Sequence, residues 1–142
     1  MIDAWHNQAI KFKNEGKYNK AEALFKKILS VAPTNANAHF DLGNVYFYEK
    51  RYSEALDYYS KSVDLGLHSQ YLANYYYMLS LCYIGLGNNK EAIVCLKKCL
   101  EVNPNYENAK ELLELVEEAY KNGEKLNIEE APIKNKLKGL FS

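Results

Sequence analysis

Residues 36–69 read ANAHFDLGNVYFYEKRYSEALDYYSKSVDLGLHS, and the reading of this stretch decides the fold. Inside it Leu42, Gly43 and Tyr46 are followed by Tyr52, Ala55 and Tyr59. The same grammar stands upstream as Trp5, Phe12, Gly16, Ala21, Phe25 and Pro33. It returns downstream as Leu79, Tyr83, Gly87, Ala92, Leu96 and Pro104. Aromatic, small and proline residues recurring at a period of about 34 residues mark an array of helix–turn–helix repeats. Such an array buries its core by stacking and leaves a concave surface open to a partner. The expected fold class is therefore all-α, a solenoid of helix pairs.

The punctuation places the repeats. Repeat one covers about 2–35, with its first helix starting near Asp3, an N-cap residue type, and stopping at residues 14–16. Its second helix covers about 18–31, where Ala21, Leu24, Phe25 and Ile28 follow helical spacing, and it ends before Pro33. Repeat two covers about 36–69, with helices near 36–49 and 53–64, and Gly66 closes it. Repeat three covers about 73–106. Gln70, Tyr71 and Leu72 precede it as extra residues expected to lengthen its first helix backward, and Pro104 enforces the last stop.

A seventh helix is expected over about 106–122. Glu107, Glu111, Glu114, Glu117 and Glu118 make it acidic, while Leu112, Leu113, Leu115, Val116 and Tyr120 give it an apolar side. One face for the stack and one for water is what a capping helix needs. Residues 123–142 form a tail in which Ile133, Leu137, Leu140 and Phe141 alternate with Lys134, Lys136 and Lys138. Beyond Pro132 residues 133–141 can form a short amphipathic helix that docks in cis or in trans, the alternative being a solvated terminus.

Bulk properties narrow the function classes. Lysine plus arginine equals aspartate plus glutamate at 18 each, so no overall field favours nucleic acid or an anionic membrane. Residues 65–89 contain no Asp, Glu, Lys or Arg. Gln70, Asn74, His68 and several tyrosines make the stretch too polar to span a bilayer, so it reads as a mostly buried helix. Cys82, Cys95 and Cys99 are odd in number and confined to one repeat, which argues against a disulfide framework and for a reducing compartment. Trp5, His6, Asn7 and Gln8 interrupt any basic-then-apolar leader, so a cytoplasmic location is expected.

With Trp5, Phe12, Ala21, Phe25 and Pro33 in register, and the pattern repeated through Leu42-Gly43, Tyr46, Ala55, Tyr59, Leu79, Tyr83, Ala92 and Pro104, the chain resembles the tetratricopeptide repeat family. The resemblance covers about residues 2–122. It departs from the pattern at Gln8-Ala9, at Ser80 and at Leu67. Gly43, Ala9 and Ser80 let paired helices approach, and Ala21, Ala55 and Ala92 do so from the other side.

The resemblance implies a right-handed superhelix whose first helices line the concave face. Its groove positions would be His6, Asn7 and Ile10 in repeat one, and Asn37, Phe40, Asp41, Asn44 and Phe47 in repeat two. Repeat three would add Asn74, Tyr77, Met78, Leu81 and Ile84. Asparagines can pair with a peptide backbone, and aromatic residues can seat apolar side chains. One branch of the family grips chaperone C-termini with a Lys, Asn and Arg clamp. At the matching positions this chain carries His6, Ile10, Asp41, Asn74 and Met78, so the cations are missing and Asp41 would repel a carboxylate. An apolar ligand, an amphipathic helix or an extended segment, is the expectation instead.

Catalysis has no positive support. His6, His39 and His68 sit on different repeats with neither metal-ligand nor nucleophile spacing. Gly85 and Gly87 lie between two helices, where a dinucleotide loop would follow a strand. No cofactor, metal, nucleic acid or membrane insertion is expected. The sequence points to a non-enzymatic adaptor that binds a protein or peptide in its groove. The alternative is a self-assembling scaffold whose tail docks on a groove.

Overall fold

The computed structural model describes residues 1–128; the expected tail helix over 133–141 and its docking lie outside the described residues. All regular structure among these residues is helical: α1 (Ile2–Asn14), α2 (Tyr18–Val31), α3 (Ala36–Tyr48), α4 (Tyr52–Asp64), α5 (Leu72–Gly85), α6 (Asn89–Val102) and α7 (Glu107–Lys121). The helices fall into two compact units, Met1–His68 with α1 to α4 and a second unit that begins at Ser69.

In the first unit each helix pair turns on the same local geometry. Where α1 ends, the Gly16 N–H donates to the Lys13 carbonyl at 3.0 Å and the Lys17 N–H to the Phe12 carbonyl at 2.8 Å. This Schellman arrangement needs a left-handed residue, and Gly16 supplies it at φ +77°. At the end of α3 the same pair of bonds forms, but Lys50 takes the left-handed position at φ 63°. The turn is so tightly specified by its two hydrogen bonds that a side chain is forced into a region that glycine occupies freely.

The core of this unit is Ala9, Ala21, Phe25, Ile28, Leu42, Val45, Ala55 and Tyr59, all fully buried. Small residues set how closely the helices approach. A Cβ on Gly43 would lie 2.7 Å from two ring carbons of Tyr59, so α3 and α4 meet at that glycine. A second tie runs along the edge of α2, α3 and α4. The Tyr46 hydroxyl donates to Glu22 at 2.7 Å, Lys26 pairs with Glu22 at 2.9 Å, and the Arg51 guanidinium lies 4.1 Å from the Tyr46 ring centroid.

In the second unit α5 is the most buried helix. Ala73, Tyr75, Tyr77, Met78, Ser80, Leu81, Cys82 and Ile84 are all inside. That is the charge-free stretch of the sequence, and none of the described helices is long and apolar enough to cross a membrane. Helix α7 buries Ala109, Leu112, Val116 and Ala119 and exposes Glu114, Glu117 and Glu118. Cys82, Cys95 and Cys99 are buried free thiols, and burial pushes all three up, Cys95 and Cys99 to about 11.

Two local expectations are corrected. Asp3 does not cap α1: the helix already starts at Ile2, Met1 is the N-cap, and Asp3 sits in the first turn facing the positive end of the helix. Gln70 and Tyr71 do not extend α5 backward. They belong to a single 3-10 turn, Ser69–Tyr71, and the α-helix begins at Leu72. Its N-cap, Tyr71, makes no side-chain cap hydrogen bond, and a tighter i to i+3 turn is a common way to start an uncapped helix.

Candidate functional site

A group of accessible polar residues of the first unit lies where α1 faces the start of α3. Asn35 caps α3 by accepting from the Ala38 N–H at 3.0 Å, which fixes the helix start beside α1. Between them lies a concavity of about 370 Å³ lined by Ile2, Asp3, His6, Asn7, Asn35 and Asn37. One helix turn further along α3, Asp41 bridges to α1 by an ion pair, His6 Nε2 to Asp41 Oδ2 at 2.8 Å. The other side of the imidazole is held by the edge of Phe25, ring centroids 5.5 Å apart.

The electrostatics of this pair follow from its geometry. The hydrogen bond to Asp41 raises the His6 imidazole above its ordinary value. Partial burial opposes that rise, the Asp41 and Asp3 charges add to it, and Lys13 subtracts a little. His6 and Asp41 therefore engage each other, and Asp3 is the carboxylate that lines the concavity. No lysine or arginine lines the concavity.

Further along the same face, Asn44 is half-buried, and its Oδ1 accepts from the Tyr59 hydroxyl at 2.5 Å. In the second unit Asn74 stands in a similar relation to Tyr106, whose hydroxyl donates to Asn74 Oδ1 at 3.3 Å. The Tyr77 ring packs edge-on against Tyr106, centroids 5.1 Å apart, and its buried hydroxyl has no hydrogen-bond partner.

The structure thus divides the thirteen groove residues named from the sequence. His6, Asn7, Ile10, Asn37, Asp41, Asn44 and Asn74 keep accessible surface. Phe40, Phe47, Tyr77, Met78, Leu81 and Ile84 are buried, between 0% and 6% exposed. Counting positions along a helix cannot see what a neighbouring helix covers, and these six are core where they stand. Ile2, Asp3 and Asn35 line the concavity but were not named. Their signal was available only indirectly, as residues flanking two helix starts. Among the described residues no group of three His, Cys, Asp or Glu could hold a metal ion.

Comparison with known proteins places this geometry. The family model for the tetratricopeptide repeat matches residues 1–66 and again 34–105. The DnaJ homolog subfamily C member 7 homolog of Schizosaccharomyces pombe is 31% identical over 99 residues, 70% of this chain and 20% of that protein. The mitochondrial import receptor subunit TOM70 of Saccharomyces cerevisiae is 33% identical over 66 residues, 46% of this chain and 10% of that one. The chain thus spans a fifth or less of these curated relatives. Among solved structures, the first repeat domain of Spaghetti (RPAP3), bound to the HSP90 peptide SRMEEVD, superposes with a TM-score of 0.76 at 21% identity. The match covers 84% of this chain and 93% of that domain, and at this identity it speaks for the fold. By its sequence model, its helix pairs and its structural neighbours, the chain belongs to the tetratricopeptide repeat family.

Proposed function

We propose that the chain is a non-enzymatic protein-interaction module, and that it holds a peptide segment of a partner protein on the accessible face of α1 and α3. On this reading residues 2–122 form the repeat domain, α7 caps it, and the protein works in the cytoplasm. One observation carries the reading: the concavity lined by Ile2, Asp3, His6, Asn7, Asn35 and Asn37, five of the six polar and with Asn7 and Asn37 exposed. Membership of a family whose relatives include an import receptor and a domain solved with a bound peptide supports it.

The partner differs from the acidic peptide of the RPAP3 domain. A carboxylate entering this concavity meets Asp3 and a histidine already engaged by Asp41, and no lysine or arginine lines it. The test is a pull-down from native lysate with the wild-type chain beside an Asn7→Ala/Asn37→Ala variant. Both residues are exposed, so the fold should be untouched. A specific protein retained by the wild type and released by the variant is the expected result. Equal retention would sink the reading. In a parallel titration the SRMEEVD peptide should show no measurable binding.

A further inference from the structure

Helix α2 covers one face of the second helix pair, and the first pair carries the counterpart of that face. In the second pair the face holds His39, Tyr46, Tyr58 and Arg51. His39 Nε2 lies 3.1 Å from the Pro33 carbonyl, just past the end of α2, and the Tyr58 ring stacks against both His39 and Tyr46. Helix α2 contributes Glu22, which accepts from the Tyr46 hydroxyl at 2.7 Å. The Arg51 guanidinium sits over the Tyr46 ring and reaches Glu22 at 3.6 Å. An aromatic strip with a cation laid on it thus grips a carboxylate from a neighbouring helix.

One repeat period earlier stand Trp5, Phe12, Leu24 and Lys17. Trp5 and Phe12 are two helix turns apart on α1 and share a face. Trp5, Phe12 and Leu24 are half-buried, whereas His39 and Tyr46 are buried. Lysines lie on the rings here as well. Lys27 Nζ is 4.3 Å from the Trp5 ring centroid, and Lys20 and Lys17 stand 5.5 and 6.0 Å from that of Phe12. Lys17 pairs with Glu15 at 3.0 Å, while Lys20 and Lys27 have no carboxylate partner among the described residues. Helix α1 packs on α2 and α3, and among the described residues no helix plays for its Trp5–Phe12 face the part that α2 plays for α3.

We propose that this face of the first helix pair docks an acidic amphipathic helix of a partner protein, seated as α2 is seated on α3. The apolar stripe of that helix covers Trp5, Phe12 and Leu24, and carboxylates at its margin meet Lys20 and Lys27 in the way that Glu22 meets Arg51. A basic or uncharged helix is excluded by the same lysines, whose ammonium groups would lose water without gaining a partner. Nothing in this depends on the peptide site. The face shares no residue with the lining of the concavity, so either surface can fail alone.

The test is a displayed library of amphipathic helices with leucines on one stripe and Glu, Lys, Gln or Ala allowed beside it, selected against the full chain. The strongest binder is resynthesised and titrated. Glutamate should be enriched beside the stripe. Lys20→Glu/Lys27→Glu changes two exposed side chains and should weaken the helix about tenfold at low salt and less at high salt. Lys20→Gln/Lys27→Gln should fall between, and Asn7→Ala/Asn37→Ala should bind as wild type does. Recovery of no helix, of basic or uncharged helices, or of an acidic helix indifferent to the lysine reversal overturns the proposal. A loss in the Asn7→Ala/Asn37→Ala variant also overturns it, because the helix would then lie in the concavity. Concentration-dependent mass of the chain alone, abolished by the lysine reversal, would assign the face to a second copy instead.

Discussion

Helices α3 and α5 open successive repeats, and they solve the same packing problem with opposite means. Where α3 has Gly43 pressed against Tyr59, α5 has Ser80, buried and donating to the Tyr77 carbonyl at 2.6 Å. Where α3 anchors the Tyr46 hydroxyl on the Glu22 carboxylate, α5 leaves the Tyr77 hydroxyl buried without a partner. Where α3 shows Asp41 and Asn37 to solvent, α5 carries no charged residue. The difference teaches that a shared repeat pattern fixes helix placement and leaves polarity free. Of the two helices, α3 carries the polar side chains beside the concavity and α5 the apolar ones of the second unit's core.

The largest effect that would break this comparison is at the close approach. Gly43→Ala should cost about 3 kcal/mol, because the new methyl meets aromatic carbons that are themselves enclosed. Ser80→Ala in α5 should cost under about 1 kcal/mol, the value of one side-chain hydrogen bond. Denaturant unfolding of both variants measures the contrast. A Gly43→Ala loss no larger than that of Ser80→Ala would mean the two slots are equivalent.

Next in size is a matched pair of hydroxyl deletions with opposite signs. Tyr46→Phe removes a bond to a carboxylate and should destabilise by about 1.5 kcal/mol. Tyr77→Phe removes a buried group that bonds to nothing and should stabilise by up to about 1 kcal/mol. Two losses of similar size would show that the Tyr77 hydroxyl is satisfied after all.

The smallest effect sharpens the electrostatic side of the comparison. His6 titrates above its ordinary value in the folded chain, so the His6–Asp41 contribution is fully present below about pH 6.5. It is lost as pH rises through the raised value. Asp41→Asn should flatten this component of the thermal midpoint against pH and bring the His6 titration down in NMR. An unchanged His6 titration in that variant would remove Asp41 as its cause.

Much of this was legible in the sequence because the repeat grammar is redundant. Ala21, Ala55 and Ala92 at one offset, with Phe25, Tyr59 and Leu96 at another, name the core before any coordinate is seen, and all six are buried. The helix ends were nearly as readable at Gly16 and Pro33. Lys50 was not, since nothing in its side chain signals a left-handed turn that two backbone bonds impose. The groove was legible only in part. Asn7, Asn37 and Asn44 follow from the family resemblance by counting along each repeat, and counting alone gives direction. It could not show that Tyr77 turns its ring onto Tyr106, or that Asp41 is already engaged by His6. Both depend on side chains from another helix, which no periodicity within one helix encodes.

The three buried thiols have a practical consequence for anyone who wishes to watch this protein at work. Thiolate is the reactive form, and Cys82, Cys95 and Cys99 are shielded from solvent and reluctant to ionise. At neutral pH the folded wild-type chain should stay dark to maleimide dyes. A single cysteine placed at exposed Asn7 or Asn37 would then report ligand arrival by fluorescence, with no native residue removed to silence the background.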